Sequence, residues 1–111
     1  MRKLEFVLQP ESLGDVSNAL ARAKFGAFRA SDVTIFDPAA PQGRYRGTEY
    51  TVGRELVKVE LVVPDQEVEQ ALEALRVAFA SSRSGTEVQI VPIFDSVQIR
   101  PASDARRRER F

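Results

Sequence analysis

Leu56-Val57-Lys58-Val59-Glu60-Leu61-Val62-Val63 sets the architecture of this chain. Val57, Val59, Leu61 and Val63 alternate with Leu56, Lys58, Glu60 and Val62, the period-two pattern of a strand that turns one face to a core. Pro64 closes the strand, and Asp65 is placed to cap a helix on which Val68, Leu72, Leu75 and Phe79 form one apolar stripe. The other faces of that helix are charged, so it is expected to cover one side of a sheet.

The segments before and after this unit repeat its logic. Lys3 to Gln9 reads as a strand with Leu4, Phe6 and Leu8 on one face and Lys3, Glu5, Val7 and Gln9 on the other, ended by Pro10. Ser12 as a cap and Asp15 in the first turn predict a helix whose stripe is Leu13, Val16, Leu20 and Ala23. Gly26 is expected to end it near residue 25. Ala27 to Phe36, with Phe28, Val33, Ile35 and Phe36, predicts a second strand. Asp37-Pro38-Ala39-Ala40-Pro41-Gln42-Gly43 cannot continue a ladder and opens a long loop that closes before Leu56. Ser81-Ser82-Arg83-Ser84-Gly85-Thr86 reads as a turn. Val88, Ile90, Pro92 and Phe94 predict the last strand, continued by Val97 and Ile99 after a kink at Asp95-Ser96.

Strand, helix, strand, long loop, strand, helix, strand is the ferredoxin-like βαββαβ order. It predicts an α+β fold with a four-stranded antiparallel sheet and both helices on one face. The uncovered face would carry Val7, Leu56 and Val62, apolar enough to predict that copies pack around it, with a homotrimer as the closed solution. One domain is expected over 1–101, with the loop at about 37–54 and an Arg-rich tail at 102–111.

Composition removes several classes of function. With 16 basic and 16 acidic residues, no overall field favours nucleic acid or a membrane surface. Neither cysteine nor histidine is present, which removes thiolate and imidazole metal sites, thiol nucleophiles and the usual general base. Asp32, Asp37 and Glu49 are carboxylates without a paired partner or nucleophile, so an enzyme is not expected. No apolar run approaches the roughly 20 residues that span a bilayer, and Met1-Arg2-Lys3-Leu4-Glu5 lacks a signal-peptide core, so the expected location is the cytoplasm.

Arg44-Tyr45-Arg46-Gly47-Thr48-Glu49-Tyr50-Thr51-Val52 concentrates tyrosines and arginines in the long loop. Such groups on a Gly- and Pro-flanked segment suit a partner molecule, with Arg44, Tyr45, Arg46, Glu49 and Tyr50 as the candidate contacts. Packing of both tyrosines back on the sheet stays open beside that reading.

Several segments together resemble the PII-type signal-transduction proteins: Met1-Arg2-Lys3-Leu4-Glu5 followed by Pro10, then Arg46-Gly47-Thr48-Glu49-Tyr50-Thr51-Val52, Val57 to Asp65, and Val97-Gln98-Ile99-Arg100. The resemblance covers nearly the whole chain to residue 100. It implies a trimeric sensor of adenine nucleotide whose T-loop, the long loop here, controls a protein partner, either a transporter or an enzyme. In that family a B-loop of the form T-G-x-x-G-D-G-K and arginines near the last strand hold the phosphates. The matching loop here is Ser81 to Glu87, with one glycine kept and Glu87 at the lysine position. Arg100 remains of the paired arginines, and Gln98 stands at the other. The positions implied for nucleotide are therefore Val7, Arg29, Phe36, Val62, Arg83, Ser84, Gly85, Thr86 and Arg100.

The lost charge favours ADP or AMP over ATP, with Arg83 and tail residues Arg106, Arg107 and Arg108 as candidate replacements. Asp37-Pro38-Ala39 stands where the family has G-R-Q, and the next strand's lysine position falls near Leu56. The anchors for magnesium and 2-oxoglutarate are thus missing, and no metal is expected. The chain resembles divergent members associated with carboxysomes or bicarbonate transport, which implies bicarbonate as a small anion for Arg46 and Lys58. Plainer readings stand alongside. Lys58 and Glu60 would make a structural pair across a subunit boundary, Gly85 would serve a turn, and the whole would be a structural or adaptor trimer without nucleotide sensing.

Overall fold

The computed structural model describes residues 1–38, 43–45, 48–50, 53–82 and 85–102, and for 43–45 and 48–50 it describes the backbone. The main sheet contains β1 (Arg2–Leu8), β2 (Arg29–Phe36), β5 (Gly53–Val63) and β6 (Gln89–Pro92) in the order β2-β5-β1-β6, every neighbouring pair antiparallel. Helices α1 (Leu13–Arg22) and α2 (Val68–Ala78) connect β1 to β2 and β5 to β6. This is the ferredoxin-like α+β arrangement that the strand and helix order predicts.

The core forms because β1 and β5 alternate in register. Leu4 pairs with Leu61, Phe6 with Val59 and Leu8 with Val57, so six buried apolar residues share one face of two adjacent strands. Val16 and Leu20 of α1 and Val68, Ala71 and Leu75 of α2 pack against them. No polar or charged residue is buried among the described residues, so this face is held by apolar burial alone.

Both helices begin differently from the sequence expectation. Each is entered through a 3-10 turn, Pro10–Ser12 before α1 and Asp65–Glu67 before α2. Ser12 already has helical angles (φ −84°, ψ −10°), so its hydroxyl makes no capping bond, because a cap needs an extended residue there. Asp65 does not cap α2 either. Its carboxylate meets the Met1 amino group at 2.7 Å and Arg2 at 3.5 Å, tying the start of β1 to the end of β5.

Gly26 does not end α1. Lys24 does, at φ 64°. Its N–H donates to the Ala21 carbonyl and the Phe25 N–H donates to the Leu20 carbonyl, both at 3.0 Å, the paired bonds of a Schellman termination. Phe25 packs on the core that contains Leu20, which supplies the apolar contact of that motif and shows why the chain accepts a lysine where glycine is preferred.

The segment between β2 and β5 is not wholly irregular. β3 (Gly43–Tyr45) and β4 (Thr48–Tyr50) form a separate two-stranded ladder, with Arg44 opposite Glu49 and Tyr45 opposite Thr48. β5 starts at Gly53, which pairs with Phe36 and closes the base of the segment. Glycine suits that position, since a Cβ would lie 2.5 Å from Thr34 Cγ2 and 2.7 Å from the Phe36 ring and one of the two would have to move. At the other end of the fold, Val97 and Ile99 do not extend β6. The ladder closes at Arg2↔Pro92 with one further bond from the Ile93 N–H to the Met1 carbonyl, and Phe94, Val97 and Ile99 stand uncovered.

Candidate functional site

The site follows from a mismatch in strand length. β6 pairs with β1 only from Pro92 to Gln89, opposite Arg2 to Glu5, whereas β1 pairs with β5 as far as Leu8. Among the described residues, Phe6, Val7 and Leu8 therefore have no strand beside them on the β6 side. Residues 85–88 diverge from that edge, and a cleft of about 700 Å3 opens between them and β1. Phe6, Leu8 and Phe79 form its inner wall, with the Phe6 and Phe79 rings edge to face at 6.1 Å. Val7, Leu56 and Ile35 line it from the open face of the sheet. Gln9, Ser12, Ser82, Thr86 and Gln89 contribute polar groups, and Arg54, Lys58, Glu5 and Glu87 contribute charge.

The register places Glu5 directly opposite Glu60 in the middle of the open face. Two carboxylates in that position repel, and lysines on either side compensate. Lys3 Nζ lies 2.6 Å from Glu5 and 3.3 Å from Glu60, and Lys58 Nζ lies 3.7 Å from Glu60. The hydrogen bond from Lys3 holds the Glu5 carboxyl below the usual carboxylate range, and hydrogen bonds to Glu5 and Glu60 raise the Lys3 ammonium above the ordinary lysine range. One edge of this network, Glu5 and Lys58, borders the cleft.

Of the positions implied for nucleotide, the cleft brings together Val7, Gly85 and Thr86, with Lys58 from the anion pair. Val62 lies four residues along β5 from Lys58, about 13 Å at strand spacing, and Arg29 pairs with Glu60 on the same outlying stretch. Phe36 lies on the opposite face from Arg54 and Ile35, beside Gly53. Arg100 is exposed on the segment after β6 and does not border the cleft. Arg46, Arg83, Ser84 and the tail arginines lie outside the described residues, as do the side chains of Arg44, Tyr45, Glu49 and Tyr50.

Sequence reasoning missed Arg54. The alternating pattern was read from Leu56 onward, but carrying it two residues back puts Arg54 on the same face as Leu56 and Lys58, opposite Ile35. The signal is one of parity, which a loop running to about residue 54 hides. Gln9, Ser12 and Gln89 were also not anticipated, because their meeting depends on where β6 stops.

Among the described residues no group of three or more acidic side chains stands where it could hold a metal ion, and no helix is long and apolar enough to cross a membrane. The family model for nitrogen regulatory protein P-II matches residues 1–103. Proteins named nitrogen regulatory protein P-II are similar over 103 residues, 90% of this chain and 92% of each relative: one from Microchaete diplosiphon at 34% identity, one from Nostoc punctiforme at 33% and one from Synechocystis at 33%.

Proposed function

The chain belongs to the nitrogen regulatory protein P-II family, and from that premise we propose that it senses ADP or AMP in clefts between the subunits of a homotrimer and reports occupancy through the segment at about 37–54. It is a regulatory signal-transduction protein and not an enzyme. The observation that carries the nucleotide reading is the cleft beside the unpaired edge of β1, where Val7, Gly85 and Thr86 converge. Peptide groups without a strand partner suit the edge of a base, apolar Val7 and Leu56 suit its faces, and the amide and hydroxyl of Gly85 and Thr86 suit phosphate oxygens.

Assembly supports the same reading. Arg29 and Val62 lie too far along the open face to share a ligand with Gly85 of their own chain, so a common ligand needs a neighbouring copy. The open face and the residues after β6 favour one, with Val62 48%, Phe94 96% and Ile99 89% exposed. A neighbour covering these side chains would remove them from water and complete the cleft.

Occupancy is transmitted at the base of the 37–54 segment, where Phe36 and Gly53 form the closing rung next to Arg54. The segment then docks on, or leaves, a transporter or enzyme in the cytoplasm, with Arg44, Tyr45, Arg46, Glu49 and Tyr50 as contacts. Bicarbonate is the second proposed ligand, held by Lys58 and Arg46. Residues 1–101 form the sensing domain, and the Arg-rich 102–111 tail adds charge near the phosphates. A thermal shift with ADP tests the central proposal: at a hundredfold excess over its dissociation constant a ligand of the folded form adds about 2.7 kcal/mol. A melting temperature indifferent to ADP and AMP would leave the structural or adaptor trimer as the better reading.

A further inference from the structure

We propose that Arg54 is the phosphate-binding cation of the cleft, gripping the terminal phosphoryl group of the nucleotide from the β5 wall while Gly85 and Thr86 approach from the opposite wall. The inference rests on the nucleotide reading above and adds a residue for which neither the B-loop nor the last strand accounts.

Charge on the cleft wall singles out this residue. Glu5 is engaged by Lys3 at 2.6 Å, and Lys58 leans toward Glu60 at 3.7 Å. Arg54 borders the same cleft and makes no ion pair or hydrogen bond through its side chain among the described residues. It is therefore the cation there without an anion, exposed at the mouth and anchored by its rung with Ile35. A guanidinium offers a planar fork that binds two phosphate oxygens together, which an ammonium at Lys58 cannot do.

Glu87 sets a limit on the ligand. Its carboxylate borders the cleft from the 85–89 wall, so each additional phosphate brings more negative charge toward it. One cationic fork and one carboxylate bordering the same cleft suit a mono- or diphosphate better than a triphosphate.

Position also gives Arg54 a role in signalling. It follows Gly53, whose rung with Phe36 closes the base of the 37–52 segment and where an added Cβ would press on Thr34 and the Phe36 ring. A phosphate held by Arg54 fixes the first side chain after that rung, so an occupied cleft and an ordered base share one residue.

Calorimetry on the full chain with adenosine, ADP and pyrophosphate, using wild type and Arg54→Gln, tests the assignment. Arg54→Gln is expected to lower ADP affinity about tenfold or more, as loss of a charge-assisted pair does, while adenosine affinity and the ligand-free melting curve stay unchanged. Arg54→Lys, which keeps charge and removes the fork, should fall between the two. Equal ADP affinity in wild type and Arg54→Gln, or an adenosine loss as large as the ADP loss, overturns the proposal. Should wild type take pyrophosphate but neither adenosine nor ADP, the adenine reading falls while Arg54 stands, provided Arg54→Gln removes the pyrophosphate signal. If wild type takes none of the three, both fall.

Discussion

The two faces of one strand divide the work of this protein. On β5, Val57, Val59, Leu61 and Val63 turn to the helices and are at most 6% exposed. Arg54, Leu56, Lys58, Glu60 and Val62, on the alternate positions, turn to the open face and carry three charges among them. The covered face contains no buried polar group among the described residues and needs only shape and volume. The open face opposes two glutamates at its centre and leaves apolar residues at its ends, an arrangement with little value to an isolated protomer. Period-two geometry lets both sets evolve on one strand, since a substitution on one face leaves the packing of the other largely intact.

The largest effect is expected where the helices cover the sheet. Leu61→Ala removes a side chain that is 1% exposed and should cost about 2–5 kcal/mol, read from urea unfolding. Val62→Ala, one residue along on the other face, should cost within about 1 kcal/mol. A Val62 loss that shrinks on dilution, as association is lost, would identify a second copy as the cover of that face. Equal losses for both at every concentration would abolish the distinction between the faces.

The division also explains what the sequence disclosed. The covered face was legible because burial enforces strict alternation: Leu4, Phe6 and Leu8, and Val57 through Val63, are all where the pattern puts them. The stripes of α1 and α2 were legible for the same reason. Helix entrances and exits were not, since the 3-10 turns and the positive φ of Lys24 depend on local angles that residue type only biases. Nor was the cleft, because it arises from how far β6 runs beside β1. Val7, Gly85 and Thr86 were reached through family resemblance. Arg54 needed the register.

Gly53 is where the two faces meet the loop, and it should give the next largest effect. In Gly53→Ala the new methyl must displace Thr34 or Phe36, and overpacking of this kind costs about 1–2 kcal/mol. The Phe36 ring is 56% exposed and can swing away, which places the cost at the lower end. Proteolysis between residues 37 and 52 should accelerate more than global unfolding does. Unchanged cleavage would mean that the Phe36↔Gly53 rung does not control the segment.

Lys24 belongs to neither face and gives a smaller effect of opposite sign. At φ 64° a lysine carries the left-handed penalty that glycine escapes, and the Schellman bonds from residues 24 and 25 use only backbone. Lys24→Gly should therefore raise stability by up to about 1 kcal/mol, with ADP affinity unaltered. A loss of stability would show that the Lys24 side chain contributes something its backbone angle conceals.

The smallest effect is expected from the ion network of the open face, and pH gives its sign. Glu5 has a folded pKa below its unfolded value, so its contribution is complete above the unfolded value and is lost as pH falls through the folded one. Lys3 has a folded pKa above its unfolded value, so its contribution is complete below the unfolded value and is lost as pH rises through the folded one. Asp65, held low by the Met1 amino group and Arg2, adds a second loss on the acid side, which a comparison of variants cancels. Urea midpoints of wild type and Lys3→Gln/Glu5→Gln should differ by a constant amount around neutrality. That difference should shrink below the ordinary carboxylate range and again above the ordinary lysine range. A difference that instead varies near pH 7 would require a titrating group other than Lys3 and Glu5, and the open face would then owe its charge pattern to something other than mutual compensation.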